Sequence, residues 1–142
     1  PDVTASVSAV AAHRCVRQAL TVQQKSMGSK GGLVAEGRDI GTAVFPHADL
    51  KVFLTATVTE RARRRALDLE QRGFAVPERA ELETQIAERD RLDSTREEAP
   101  LMQADDAIEL VTDGMDIDAV IEALVRLFRE RVAEEAWPTP QR

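Results

Sequence analysis

Two short runs that read as buried strands stand far apart in this chain, and what lies between them reads as helix. The first is Leu50-Lys51-Val52-Phe53-Leu54-Thr55 and the second is Ala107-Ile108-Glu109-Leu110-Val111. Both are rich in the β-branched and large apolar residues that suit a buried sheet. A third run, Leu33-Val34-Ala35, lies upstream behind Gly31-Gly32 and reads as a further buried strand. Antiparallel neighbours can be joined by a tight turn, whereas parallel neighbours need a long crossover. Strands alternating with helices therefore predict an α/β chain, a parallel sheet flanked by helices. In such sheets ligands bind outside the carboxyl ends of the strands.

The helices are marked by periodicity and by their ends. Ser6 to Gln24 contain no Gly or Pro, and Val3, Val7, Val10 and Ala11 recur at helical spacing, so a helix is expected over residues 4–26, ended by Gly28 and the Ser-Lys-Gly-Gly after it. Thr57-Val58-Thr59-Glu60 has the order of a capping box, with Val58, Ala62, Ala66 and Leu69 on one face and a stop at Gly73. Pro77 to Arg96 predicts a charged helix in which Leu82 and Ile86 are followed on the same face by Arg89, Asp93 and Arg96. Asp116 can cap a last helix over about residues 116–134, where Ile117, Val120, Ile121, Leu124, Val125, Phe128 and Val132 form an apolar stripe. The tail Trp137-Pro138-Thr139-Pro140 reads as loose.

The 142 residues are one domain's worth, and a net charge of −6 argues against a general nucleic-acid binder. The single Cys15 excludes an intrachain disulfide and zinc-type spacing, which suits a reducing cytoplasm. There is no apolar run of membrane-spanning length and no signal-peptide order at the start. The start at Pro1, without Met, predicts that the chain was cut from something longer.

Positive charge is nevertheless clustered. Gly37-Arg38-Asp39-Ile40-Gly41-Thr42 follows the first apolar run and offers an Arg beside an Asp between two glycines. It can be an anion-and-base loop or a plain turn with a local Arg38–Asp39 ion pair. Arg61, Arg63, Arg64 and Arg65 crowd the start of a helix, where cations oppose the helix dipole, so they are either a solvated face or a polyphosphate contact. Arg89, Asp93 and Arg96 form either an intrahelical salt ladder or a charged face turned to a ligand. His13 and His47 stand alone, and no serine–histidine–acid or cysteine–histidine arrangement competes. Arginines placed at three such points suit phosphoryl transfer, which needs mainly positioning and charge neutralisation.

Several motifs, in order and with consistent spacing, carry a resemblance. They are Val16-Arg17-Gln18-Ala19-Leu20, the run Glu36 to Phe45 (EGRDIGTAVF), Glu60-Arg61-Ala62-Arg63-Arg64-Arg65, Gly73-Phe74, and Glu88 to Arg96 (ERDRLDSTR) followed by Ala99-Pro100-Leu101. Over almost its whole length the chain resembles the bacterial cytidylate kinases, which phosphorylate CMP and dCMP with ATP. The resemblance implies a nucleoside monophosphate kinase fold of the P-loop NTPase type. It implies that Ser8, Arg17 and Asp39 read the cytosine edge, that Arg38 and Arg96 hold the CMP phosphate, and that Arg89 and Asp93 hold the sugar hydroxyls. Arg61 and Arg65 would lie near ATP, whose Mg2+ accompanies it. Residues 77–97 would be a mobile lid, with Arg91 reaching the transferred phosphate beside Arg38 and Arg96.

The family's phosphate-binding loop, GxxxxGK[ST], is absent from the chain; Gly28-Ser29-Lys30-Gly31-Gly32 lacks its spacing. The resemblance therefore implies an N-terminally truncated, C-terminal portion of the kinase, inactive without the missing N-terminal part of the same protein, and assigns no metal ligand here. Residues 21–42 and Glu135-Ala136-Trp137-Pro138 look most like the cyanobacterial version, in which the kinase is fused behind a pantoate–β-alanine ligase. A non-catalytic nucleotide-binding module is the alternative.

Overall fold

The two distant apolar runs do pair in parallel. The computed structural model of the protein, which describes residues 6–7, 9–11, 13–97 and 99–136, sets β1 (Val52–Thr55) beside β2 (Ile108–Val111), with Val52 opposite Ile108 and Thr55 opposite Val111. The ladder continues at both ends, where Ile108 N donates to Lys51 O at 3.0 Å and Thr112 N to Thr55 O at 2.8 Å. The crossover holds α2 (Val58–Gln71) and α3 (Arg79–Thr95), which pack on each other with Ala62 and Leu82 buried. Ahead of the sheet come α1 (Arg14–Gly28) and a five-residue π-helical turn, Ile40–Val44. Behind it come α4 (Ile117–Arg131) and a short 3-10 turn, Glu134–Ala136.

The helix ends follow the side chains that were read as caps. Thr57 accepts from Glu60 N at 3.2 Å, and Asp116 accepts from Ala119 N at 2.8 Å. Only half of the capping box forms. Thr57 N is taken by Asp113 at 3.0 Å, an acid from beyond β2 that pins the start of α2 to the neighbouring strand's exit. At the far end Gly73 takes φ 71, Gly73 N donates to Glu70 O at 3.0 Å, and Phe74 N donates to Leu69 O at 2.9 Å. This is the paired bonding of a Schellman stop, for which glycine is the residue of least strain.

Two expectations need correction. Leu33–Ala35 is not a strand. Residues 32–36 run without regular structure, and Val34 is 99% exposed. A three-residue apolar run holds a strand conformation only where a neighbour supplies the ladder, and among the described residues none lies beside it. The helix expected over residues 4–26 is also not continuous. Ser6, Val7, Ala9, Val10 and Ala11 carry helical backbone, but His13 is extended at φ −68, ψ 125 and α1 begins afresh at Arg14. Arg17 reaches back over the break, donating through Nη1 to Ala11 O at 3.4 Å. Residues 1–5 and the tail from Trp137 lie outside the described residues.

α1 and the π-helical turn meet closely at Gly28 and Phe45. A Cβ built on Gly28 would sit 2.6 Å from Phe45 Cζ, so the ring lies over a position that only glycine leaves open. The apolar stripe read for α4 is only partly covered. Of its residues Val132 is buried, while Ile117, Ile121 and Val125 are exposed. The same holds at the sheet, where Leu54 and Val111 are exposed.

Candidate functional site

Arg38 and Asp39, neighbours in sequence, do not pair with each other. Asp39 is 6% exposed and takes its ion pair from Arg17 of α1. Arg38 turns the other way and donates through Nε to Asp93 Oδ2 of α3 at 2.7 Å. The backbone explains the split. Asp39 caps the π-helical turn with φ −130, ψ 15, and its carbonyl accepts from both Ala43 N at 2.8 Å and Val44 N at 3.2 Å. Phe45 N then closes onto Ile40 O at 2.7 Å, a five-residue step. Such π turns widen the backbone by one residue and recur at functional sites. Here the turn buries Val44 and sends the side chains of residues 38 and 39 to different helices.

Asp93 is the hub of the α3 end. It is buried, and beyond Arg38 it has Arg96 Nη1 at 3.8 Å from Oδ1 and Arg89 Nε at 3.9 Å from Oδ2. The structure thus keeps both interpretations of the 89–93–96 stripe. The intrahelical pairs exist, but their shared carboxylate also binds an arginine from another segment. The chain after α3 folds back onto the same point. Leu101 N donates to Asp93 O at 2.7 Å, and Arg96 Nε donates to Ala99 O at 2.6 Å. Ala99 holds this carbonyl in place with φ 49, a left-handed conformation that a residue with a Cβ adopts at a cost.

Four arginines, 17, 38, 89 and 96, thus gather about two carboxylates, 39 and 93, an excess of two positive charges. Two of the donors are buried without a partner, Arg17 Nε and Arg96 Nη2. Burial, with Arg17 nearby, pulls the Arg96 guanidinium below its ordinary value, against the opposing pull of Asp93 and Asp39. Buried N–H donors left unpaired are costly. A site with spare donors and spare positive charge is complementary to an anion with several oxygens, which phosphate is.

The arginines at the start of α2 are engaged differently. Arg63 and Arg64 share Glu60, each at 2.8 Å, and Arg65 pairs with Asp68 at 2.9 Å within the helix. Arg64 also donates to Thr112 Oγ1 at 2.9 Å, tying α2 to the end of β2. Arg61 crosses to α3 and forks onto Asp90, Nη1 lying 2.9 Å from Oδ1. Its Nε donates to Ala56 O at 3.1 Å, at the exit of β1. The hydrogen bond from Arg63, aided by Arg64, lowers the Glu60 carboxyl from its ordinary 4.5 to about 2. A carboxylate depressed on folding stabilises above its unfolded pKa and loses that contribution as pH falls through the folded value. Acid unfolding between pH 4.5 and about 2 is therefore expected to lose part of its pH dependence in Glu60→Gln, measured by thermal melts across that range.

Of the residues singled out in the sequence, Arg17, Arg38, Asp39, Arg89, Asp93 and Arg96 come together. Arg91 does not join them; it lies exposed and forks onto Glu88 in its own helix, at 2.8 and 2.7 Å. Arg61 and Arg65 stand at the start of α2, apart from the Asp93 hub. Ser8 lies outside the described residues. Sequence reasoning missed Asp90, Asp113, the π-helical turn and the Ala99 carbonyl. The acids are unremarkable in a charged helix or turn, and an alanine gives no signal for a positive φ.

The profile of the family described as cytidylate kinase matches residues 1–130. The chain belongs to the cytidylate kinase family. Among curated relatives it is 99% identical, over all of its 142 residues, to a bifunctional pantoate ligase/cytidylate kinase of Synechococcus sp. (strain CC9902), of which it covers 29%. It is 86% identical over 140 residues, 99% of this chain, to the protein of that name from Synechococcus sp. (strain CC9605), again covering 29%. It is 73% identical over 140 residues to the one from Prochlorococcus marinus (strain MIT 9303), covering 99% of this chain and 29% of the relative. The chain thus spans under a third of the length of these cytidylate kinase relatives.

Proposed function

We propose that this chain is the CMP-binding and lid portion of a kinase that transfers the ATP γ-phosphate to CMP or dCMP. The observation that carries the proposal is the cluster of arginines about the buried carboxylates Asp39 and Asp93, with its excess of positive charge and its unpartnered Arg17 and Arg96 donors. Family membership and the relatives' names support the same chemistry. In this account Arg17 and Asp39, with Ser8, read the cytosine edge, whose ring acceptor and amino donor match a guanidinium and a carboxylate. Arg38 and Arg96 hold the CMP phosphate, and Arg89 with Asp93 the sugar hydroxyls. Arg61 and Arg65 lie on the ATP side. Residues 77–97, built on α3, act as a lid that closes over both nucleotides and excludes water, with Arg91 swinging inward to the transferred phosphate.

Phosphoryl transfer here is positioning and charge neutralisation. Arginine forks hold the acceptor phosphate in line and spread the charge that develops on the equatorial oxygens. Mg2+ supplies the remaining neutralisation when it arrives with ATP. Among the described residues no group of three or more His, Cys, Asp or Glu side chains could hold a metal ion, so none of them is assigned to it. The sequence lacks GxxxxGK[ST], and we assign that loop, with strands that cover Leu54 and Val111, to a part of the protein outside these residues. The relatives' length and names favour a parent that also carries a pantoate ligase. Among the described residues no helix is long and apolar enough to cross a membrane, and we place the reaction in the cytoplasm.

The test is turnover by the full-length protein that contains this chain. ATP with CMP or dCMP is expected to give ADP with CDP or dCDP. Absence of CDP formation by the folded protein would overturn the kinase proposal in favour of a non-catalytic nucleotide-binding module.

A further inference from the structure

α3 is held to two other segments through carboxylates one helical turn apart. Asp93 takes Arg38 from the loop before the π-helical turn, and Asp90 takes Arg61 from α2. The second contact has features that packing alone does not call for. It is bidentate, both terminal nitrogens of Arg61 meeting the two oxygens of Asp90. The guanidinium is fixed from behind, because its Nε donates to Ala56 O at the exit of β1. The pair is also accessible, with the two side chains 36% and 37% exposed. An accessible pair of this kind adds little to stability. Its geometry is nevertheless the one in which a guanidinium binds phosphate, with two parallel N–H donors facing two oxygens. Asp90 therefore occupies the face of Arg61 that an incoming phosphate would use, and its charge repels that phosphate while it stays there.

We infer that Asp90 is a positioning residue that latches α3 to α2 through Arg61, and that a nucleotide phosphate arriving at Arg61 displaces it and frees α3 to move. This rests on the assignment of Arg61 to the ATP side made above. The latch is an exchange of one anion for another on the same guanidinium, with no covalent step. Removing the Asp90 charge removes the competitor, so ATP binds more readily, whereas CMP, held at the Asp93 end, is unaffected.

The experiment compares the full-length protein with Asp90→Asn, Asp90→Glu and, as a control away from the lid, Glu130→Gln, whose ion pair with Arg126 stays within α4. Asp90→Asn is expected to lower the KM for ATP by about three- to fivefold, the scale of a half-exposed ion pair, with the KM for CMP within about twofold. Asp90→Glu, which restores the charge, returns the KM for ATP toward the starting value, and Glu130→Gln leaves both constants in place. Calorimetric titration with Mg-ATP makes the same comparison without turnover. An unchanged or raised KM for ATP, an equal change for CMP, the same change in Glu130→Gln, or a clearly lowered melting temperature in Asp90→Asn overturns the latch. A wild-type protein that binds Mg-ATP but forms no CDP sinks the kinase proposal instead and leaves the binding comparison to decide the latch.

Discussion

Arg96→Ala in the complete protein is expected to lower kcat by about 10³-fold or more, the worth of an arginine that stabilises a transferring phosphoryl group. Three features of Arg96 support so large an effect. Its side chain is 11% exposed, its Nε is fixed by the Ala99 carbonyl at 2.6 Å, and its buried Nη2 has no partner. A guanidinium already desolvated and already oriented needs little reorganisation when charge develops on the transferring phosphoryl group, so it is placed to stabilise that charge. If Arg96 served only the 89–93–96 salt ladder, its loss would leave turnover of the folded protein near normal and fall on stability instead, since removing one partner of a buried ion pair costs about 3–5 kcal/mol. Steady-state kinetics beside a thermal melt separates the two outcomes.

Asp39→Ala is expected to act on the other substrate constant. Loss of a buried charge-assisted hydrogen bond costs about 1.5–3 kcal/mol, which raises the KM for CMP by roughly 10- to 150-fold. The KM for ATP should stay within about twofold, since Arg61 and Arg65 stand on a separate helix. The buried Asp39 also neutralises Arg17, so the substitution leaves that arginine with a charge it cannot pair locally. A melt of the variant is therefore part of the measurement. Equal rises in both Michaelis constants, with a lowered melting temperature, would show that Asp39 holds the π-helical turn rather than the base.

What the sequence made legible were the features that local chemistry dictates. Thr57 and Asp116 cap the helices they precede, Gly73 ends α2, and the two β-rich runs pair in parallel, because each outcome depends on residues close in sequence or on a strong apolar signal. Six of the candidate site residues also converge, from Arg17 to Arg96. The remainder depended on partners far along the chain. Leu33–Ala35 has the composition of a strand but no neighbour among the described residues to form a ladder with. Arg38 beside Asp39 reads as a local ion pair, and only the extra residue of the π-helical turn shows why each goes elsewhere. Asp90 carried no signal, since an acid in a helix rich in Glu and Arg is ordinary until Arg61 is found opposite it.

The spacing of the sheet has a consequence for how the protein is made. Val52 pairs with Ile108, so β1 leaves the ribosome 56 residues before its partner. At ordinary rates of synthesis, about 5–20 residues per second, that is a wait of roughly 3 to 11 seconds. In that interval α2 and α3 have already emerged, and Arg61 can meet Asp90 before the strands can meet each other. Non-local pairing of this kind is slow to nucleate, because the chain entropy of closing the long connection is lost before the contacts repay it. The packed pair α2–α3 thus has time to form as a folded unit of this segment before β1 and β2 can pair.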